Sequence, residues 1–170
     1  LEFRRVLFRS HRPAMMVLGD LGTGWMALER LFGARPLKVL VPPWNRIAPA
    51  LVPALPEIGF GGLSAFGQRK RPYPVKGLLQ VNTHVDVIDW RGGRGFVGRE
   101  AALGQLVNAL AAARTLSESH TPEPIGVLSH HLAMDDGAWD FLISLWETIR
   151  EHGVRTPAAH ELFASREARA

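Results

Sequence analysis

The chain has 170 residues, of which 46% are hydrophobic and 21% charged, and it contains no cysteine. This composition is typical of a globular protein, and it excludes collagen-like, coiled-coil and low-complexity disordered chains. The lack of cysteine excludes disulfides, thiolate zinc sites and cysteine nucleophiles, and no apolar run approaches the about 18 residues of a membrane-spanning helix.

The first ten residues differ in kind from the remainder of the chain. They read LEFRRVLFRS, which is the translation of a widely used short-read sequencing adapter, and we interpret residues 1–10 as an assembly artefact. The alternative is a short amphipathic strand or basic arm. Without the three arginines and one glutamate of this segment the formal charge falls from +4 to +2, so neither nucleic acid nor a membrane is expected as a partner. We expect the natural protein to begin upstream of His11.

A first helix is predicted over residues 14–32, because its apolar residues recur at steps of three and four. These residues are Leu18, Leu21, Trp25, Leu28 and Phe32. Gly33 is typical of the position just after a helix. The rival prediction is a strand over 15–18 followed by a phosphate-binding loop over 19–24, although its G-x-x-G-x-G order differs from a dinucleotide-binding fingerprint.

Strands and helices alternate along the remaining chain. Strands are predicted at 37–41, 58–64, 78–85 and 125–130, and a helix or pair of turns at 46–57. Two longer helices are predicted. The first has an inward stripe formed by Leu103, Leu106, Val107 and Leu110, and the second has one face formed by Trp139, Leu142, Ile143, Trp146 and Ile149. A basic loop at 68–75 and a turn-rich connection at 117–124 separate these elements. The alternation favours parallel βα units, arranged either as a barrel or as an open doubly wound sheet.

Polar and aromatic residues cluster at the carboxyl ends of three predicted strands, where both candidate folds place their ligand sites. The clusters are VPPWN at 41–45, DVIDW at 86–90 and LSHH at 128–131. They resemble, in this order, the last three motifs of the polysaccharide deacetylase family, the NodB-homology carbohydrate esterases. The segment 86–90 is similar to the family's D-x-x-D-W, and 128–130 to its L-x-H.

The resemblance implies an α/β fold, an incomplete (β/α) barrel of the glycoside hydrolase and deacetylase type whose N-terminal strands are missing. Residues 11–170 are then the C-terminal part of a single domain. The implied parent is a hydrolase that removes acetyl groups from acetylated sugars or polysaccharides with a divalent metal such as zinc. His130 is implied as the general acid, and Asp86 or Asp89 as the residue that holds its imidazole.

Elementary chemistry also accounts for such a pairing. Expelling an amine or alkoxide from a tetrahedral intermediate requires a proton donor, and a carboxylate beside an imidazole favours the charged imidazole. The alternative is that Asp86 and Asp89 cap a loop, and that His130 donates to a backbone carbonyl.

Four further residues are predicted to contact the sugar. Trp44 stands where the family's third motif has an aromatic residue that contributes its backbone amide to an oxyanion pocket, and indole faces of Trp44 and Trp90 suit sugar rings. The alternative for both is core packing. His84 is predicted as a substrate contact, the alternative being a satisfied polar residue at a strand end, and Asn45 completes the set.

The chain departs from the family pattern at two points. Val41 stands where the third motif begins with an arginine, and Asn45 or Arg46 is the candidate replacement. The motifs that supply the base and the metal ligands have no match within 11–170. We therefore assign no metal ligand and expect this chain to be inactive, with no tightly bound metal, even where its parent is active. A non-catalytic sugar-binding or scaffold barrel is the alternative function, and a nucleotide-binding α/β domain is a third.

Overall fold

The structure, a computed structural model, describes residues 12–115 and 123–163. The adapter-like segment 1–10 and most of the connection predicted at 117–124 lie outside the described residues. The chain forms two compact units. The first unit comprises Leu1–Asn82 and Ala159–Ala170, and the second unit comprises Thr83–Ala158.

The first unit begins with helix α1, Ala14–Phe32, which confirms the predicted bounds. The helix ends where Gly33 adopts a φ of 62° and donates its N–H to the carbonyl oxygen of Glu29. The alternative prediction of a phosphate-binding loop at 19–24 is therefore wrong, since these residues lie within a continuous helix. Of its predicted apolar stripe, Leu18 and Leu21 pack against the core of the first unit, whereas Leu28 and Phe32 are exposed.

Three short strands form a parallel sheet beside short 3-10 helices in the first unit. The strands are β1 (Val39–Leu40), β2 (Gly62–Leu63) and β3 (Leu79–Gln80), in the order β1-β2-β3. The 3-10 helices cover Pro43–Asn45, Pro49–Ala54 and Pro56–Ile58. Gly62 is required for close approach, because a Cβ there would lie 2.7 Å from Val39 Cγ2 and from Phe163 Cδ1.

The second unit holds a two-stranded parallel sheet covered by two helices. Strand β4 (Val85–Asp86) pairs with β5 (Val127–Leu128), and the helices are α2 (Arg99–Thr115) and α3 (Asp136–Glu151). The core consists of Val85, Val87, Ile88, Ala102, Ala138 and Phe141. A short helix, α4 (Ala159–Leu162), follows and belongs to the first unit.

Two predicted features of these elements are wrong. The stripe predicted to face inward in α2 is largely exposed, at Leu103, Val107 and Leu110, and only its Leu106 packs against the core. On the face predicted for α3, Trp139, Ile143 and Trp146 are exposed, whereas Leu142 packs against the core beside Ala138 and Phe141. The strand predicted over 78–85 is divided into β3 and β4, since Asn82 between them bonds through its side chain to Ala65 and Gly67.

Strands β1 to β5 pair in parallel, as predicted for βα units, and two isolated bridges, Val75 with Leu78 and Ile88 with Phe96, are antiparallel. The described residues form sheets of three and two strands and no closed barrel, so the incomplete barrel stays a prediction. None of the helices in the described part of the chain is both long enough and apolar enough to cross a membrane.

Asp135 caps the N-terminus of α3 and ties it to the segment before α2. The backbone N–H of Phe96 and then that of Ala138 donate to its carboxylate, and they hold the pKa of Asp135 below its ordinary value of 3.8. A lowered pKa in the folded state means that this stabilisation is present above pH 3.8 and is lost as the pH falls through the folded value.

We expect Asp135→Asn to lower the midpoint of thermal unfolding at neutral pH, because an amide oxygen replaces only one of two carboxylate acceptors. The difference in unfolding midpoint between Asp135→Asn and the unmodified chain should narrow as the pH falls below 3.8, because the unmodified chain then loses the stabilisation that its charged carboxylate provides. Circular dichroism melts across this range measure the effect. Asp136→Asn removes the same charge from the same helix end, and an equal, pH-independent loss in both variants would contradict the prediction.

Candidate functional site

The ends of β4 and β5 bring an imidazole and a carboxylate together. Asp86 is the last residue of β4, and its register partner Leu128 is the last residue of β5. His130 follows two residues later, and its Nε2 lies 3.1 Å from Asp86 Oδ1. Parallel pairing thus places the two side chains at the same edge of the sheet, as the strand-end clusters lead one to expect.

The Asp86 carboxylate is held by three groups. Its Oδ1 accepts the backbone N–H of Ile88 at 3.0 Å as well as facing His130, and its Oδ2 accepts the indole N–H of Trp90 at 2.9 Å. The rings of Trp90 and His130 meet edge to face, with centroids 4.8 Å apart and an interplanar angle of 86°. We call Asp86, Trp90 and His130 the strand-end triad.

The triad is open to solvent on one side. The side chains of His130 and Asp86 are 25% and 21% exposed. With Nε2 donating to Asp86, the second ring nitrogen of His130 has no hydrogen-bond partner among residues 12–115 and 123–163. That nitrogen donates a proton when the imidazole is charged and accepts one when it is neutral, so the arrangement suits proton transfer to a bound molecule.

Asp89 stabilises a loop, although it belongs to the same D-x-x-D-W segment as Asp86. Its Oδ1 accepts the backbone N–H groups of Arg91 and Gly92 at 3.0 and 2.8 Å, so the carboxylate caps the loop after Ile88. A Cβ on Gly92 would lie 2.1 Å from Asp89 Oδ2. Of the two aspartates predicted as partners of His130, the structure brings Asp86 to the imidazole, whereas Asp89 shapes the loop.

His84 is buried and bonded within the protein. Its Nδ1 accepts the backbone N–H of Gly126 at 3.1 Å, and its Nε2 lies 3.1 Å from Glu123 Oε1. The acceptor role of Nδ1 places the proton on Nε2, which donates to the carboxylate. This geometry favours a satisfied polar residue over a substrate contact. Glu123 was missed because it lies within the turn-rich connection at 117–124, where no sequence signal distinguishes a buried acid.

Trp44 and Asn45 belong to the first unit, whereas the triad belongs to the second. Both residues adopt left-handed backbone conformations, with φ of 59° and 50°, which is rare for a residue as bulky as Trp44. The indole of Trp44 is half-exposed, and the buried Nδ2 of Asn45 has no hydrogen-bond partner within the described ranges. Their role as sugar contacts stays a prediction.

The divalent metal that the resemblance implies finds no ligand set in the described ranges. No three His, Asp or Glu side chains within them converge closely enough to hold an ion. His131 is exposed, and it follows directly after His130. The described residues therefore do not fit a metal centre, and the chemistry derived below uses only the side chains of the triad.

Comparison of the chain with models of known protein families, with curated proteins and with solved structures yields no match in any of the three. The triad is accordingly interpreted from its own geometry.

Proposed function

We propose that the strand-end triad is the proton-transfer half of the active site of a polysaccharide deacetylase-like hydrolase. The observation that carries the proposal is the 3.1 Å approach of His130 Nε2 to Asp86 Oδ1, at the carboxyl ends of paired parallel strands. The proposal assigns neither the base nor the metal ligands of such a site to the residues that the structure describes.

Each member of the triad has a distinct role in this proposal. His130, charged and held by Asp86, donates the proton of its outer nitrogen to the departing amine or alkoxide when the tetrahedral intermediate collapses. Asp86 orients the imidazole and stabilises its positive charge. Trp90 fixes the second carboxylate oxygen and leaves part of its indole exposed as a surface for a sugar ring.

The test uses the completed protein, that is, the full reading frame that genomic DNA gives around this sequence, supplied with zinc or cobalt. Acetate release from an acetylated chitooligosaccharide is measured for the parent and for His130→Ala. We expect kcat to fall by about 10²–10⁴-fold in this variant, the usual contribution of a positioned general acid. His131→Ala is the matched control, because it removes the adjacent, exposed imidazole. An unchanged rate in His130→Ala would remove His130 from the mechanism and overturn the proposal.

Val41 favours a second candidate, a non-catalytic sugar-binding domain. It stands where the family's third motif has an arginine, and its exposed apolar side chain cannot orient a catalytic base. Glycan binding by the completed protein, without metal-dependent turnover, would select this function over the hydrolase.

A further inference from the structure

The side-chain amide of Gln105 in α2 forms two hydrogen bonds with the backbone of Asp86. The N–H of Asp86 donates to Gln105 Oε1 at 2.9 Å, and Gln105 Nε2 donates to the carbonyl oxygen of Asp86 at 3.0 Å. One amide therefore satisfies both backbone groups of the residue that carries the carboxylate of the triad. Neither composition nor motif singles out Gln105, which sits in an ordinary helix sequence.

The Gln105 amide lies at the edge of β4 opposite β5, where a further strand would otherwise pair with β4. On the β5 side, the N–H of Val85 donates to the carbonyl oxygen of Gly126 at 3.2 Å. In a parallel ladder, successive residues turn their backbone groups to alternate edges, so those of Asp86 point away from β5. Left without partners, these two groups would each carry a penalty for desolvation, and the strand end would be free to shift.

We propose that Gln105 is a positioning residue for the strand-end triad. By fixing both backbone groups of Asp86, it sets the direction in which the carboxylate leaves the strand, towards His130 Nε2 and the indole N–H of Trp90. The effect on the geometry of the triad is independent of the reaction, whereas the effect on turnover rests on the proposed function.

Gln105 is not needed to hold α2 against the sheet. Ala102 of the same helix is fully buried in the core with Val85 and Val87, and Leu106 packs against the same cluster. A Gln105→Met substitution keeps the length and volume of the side chain but removes both hydrogen bonds. It therefore separates positioning of Asp86 from packing of the helix.

The first experiment reads the geometry of the triad by nuclear magnetic resonance on the isotope-labelled chain. In Gln105→Met we expect the indole N–H resonance of Trp90 and the imidazole resonances of His130 to move. The indole resonances of Trp139 and Trp146, on the exposed side of α3, should stay in place. Asn108→Ala, an exposed change on the same helix, is the control. Equal spectra for Trp90 and His130 in both variants would overturn the proposal.

A second measurement needs no variant and decides the case if Gln105→Met fails to fold. In the unmodified chain, the side-chain amide protons of Gln105 should show a nuclear Overhauser effect to the backbone amide proton of Asp86. The two hydrogen bonds place these groups in contact. Absence of this effect from resolved, assigned resonances would overturn the proposal.

Turnover of the completed protein separates this inference from the proposed function. We expect Gln105→Met to lower kcat about tenfold to hundredfold, the scale of a small misplacement of a catalytic group, with KM changed less than about twofold. An inactive His130→Ala together with an unaffected Gln105→Met would overturn the positioning role and leave the proposed function standing. A fully active His130→Ala would overturn the function, while the resonance shifts still decide the role of Gln105.

Discussion

Replacing His84 with leucine lowers the free energy of unfolding by about 2–5 kcal/mol, because the Glu123 carboxylate and the Gly126 N–H each lose the hydrogen bond that the imidazole makes, at about 1–3 kcal/mol each. The side chains of His84 and Glu123 are only 7% and 6% exposed, so water cannot replace the lost imidazole. Leucine also removes the acceptor of the Gly126 N–H, which links the start of β4 to the segment before β5. Urea denaturation followed by circular dichroism measures the loss.

Two further variants assign this loss to the His84–Glu123 pair. Glu123→Gln keeps an oxygen that accepts the Nε2–H of His84, and we expect it to cost about 1 kcal/mol, the net value of an ordinary hydrogen bond. In the double variant His84→Leu with Glu123→Leu, the buried carboxylate is removed together with its donor. The loss of unfolding free energy in the double variant should be smaller than the sum of the losses in His84→Leu and Glu123→Leu measured singly. A strictly additive loss would contradict the pairing.

The choice between Asp86 and Asp89 shows where sequence reasoning ends at this site. The D-x-x-D-W spacing supplies two carboxylates close to one strand end, and either satisfies the chemistry of a partner for His130. Backbone N–H groups decide which of the two carboxylates is left to face His130. The N–H groups of Arg91 and Gly92 donate to the Asp89 carboxylate, because a Gly-rich loop turns back over it, and only the conformation of that loop reveals this.

Helix ends were predictable because their signals are local. The apolar periodicity ends at residue 32, and Gly33 just after it is a signal that acts within the last turn of the helix. The inward faces of α2 and α3 were not predictable from the same periodicity. A stripe of large apolar residues such as Trp139, Ile143 and Trp146 satisfies the helical pattern equally well when it is exposed. The face that packs is set by the neighbouring sheet.

The split of the predicted strand 78–85 has its physical cause in one asparagine. Asn82 lies between β3 and β4, where the sequence pattern predicts one continuous strand. The side-chain Oδ1 of Asn82 accepts the Ala65 N–H, which a backbone carbonyl oxygen would otherwise accept to extend the ladder between β2 and β3. A buried asparagine that replaces backbone pairing has no signature in the sequence.

Asn82→Leu should therefore lower the free energy of unfolding by about 1–3 kcal/mol, since it removes two hydrogen bonds to part-buried backbone groups, at about 0.5–1.5 kcal/mol each. Asn82 is 4% exposed; its Oδ1 accepts from Ala65 N at 2.9 Å, and its Nδ2 donates to the Gly67 carbonyl oxygen at 2.6 Å. Asn45 of the same unit is the matched comparison, because its buried Nδ2 has no hydrogen-bond partner among the residues that the structure describes.

Asn45→Gly removes that side chain and keeps the left-handed backbone at φ 50°, which glycine adopts without strain. We expect its unfolding free energy to stay within about 0.5 kcal/mol of the unmodified chain, the range of substitutions that break no specific contact. Urea denaturation of both variants tests the contrast. Equal losses would mean that the hydrogen bonds of Asn82 do not stabilise the end of β3, because removing a bonded and an unbonded amide would then cost the same.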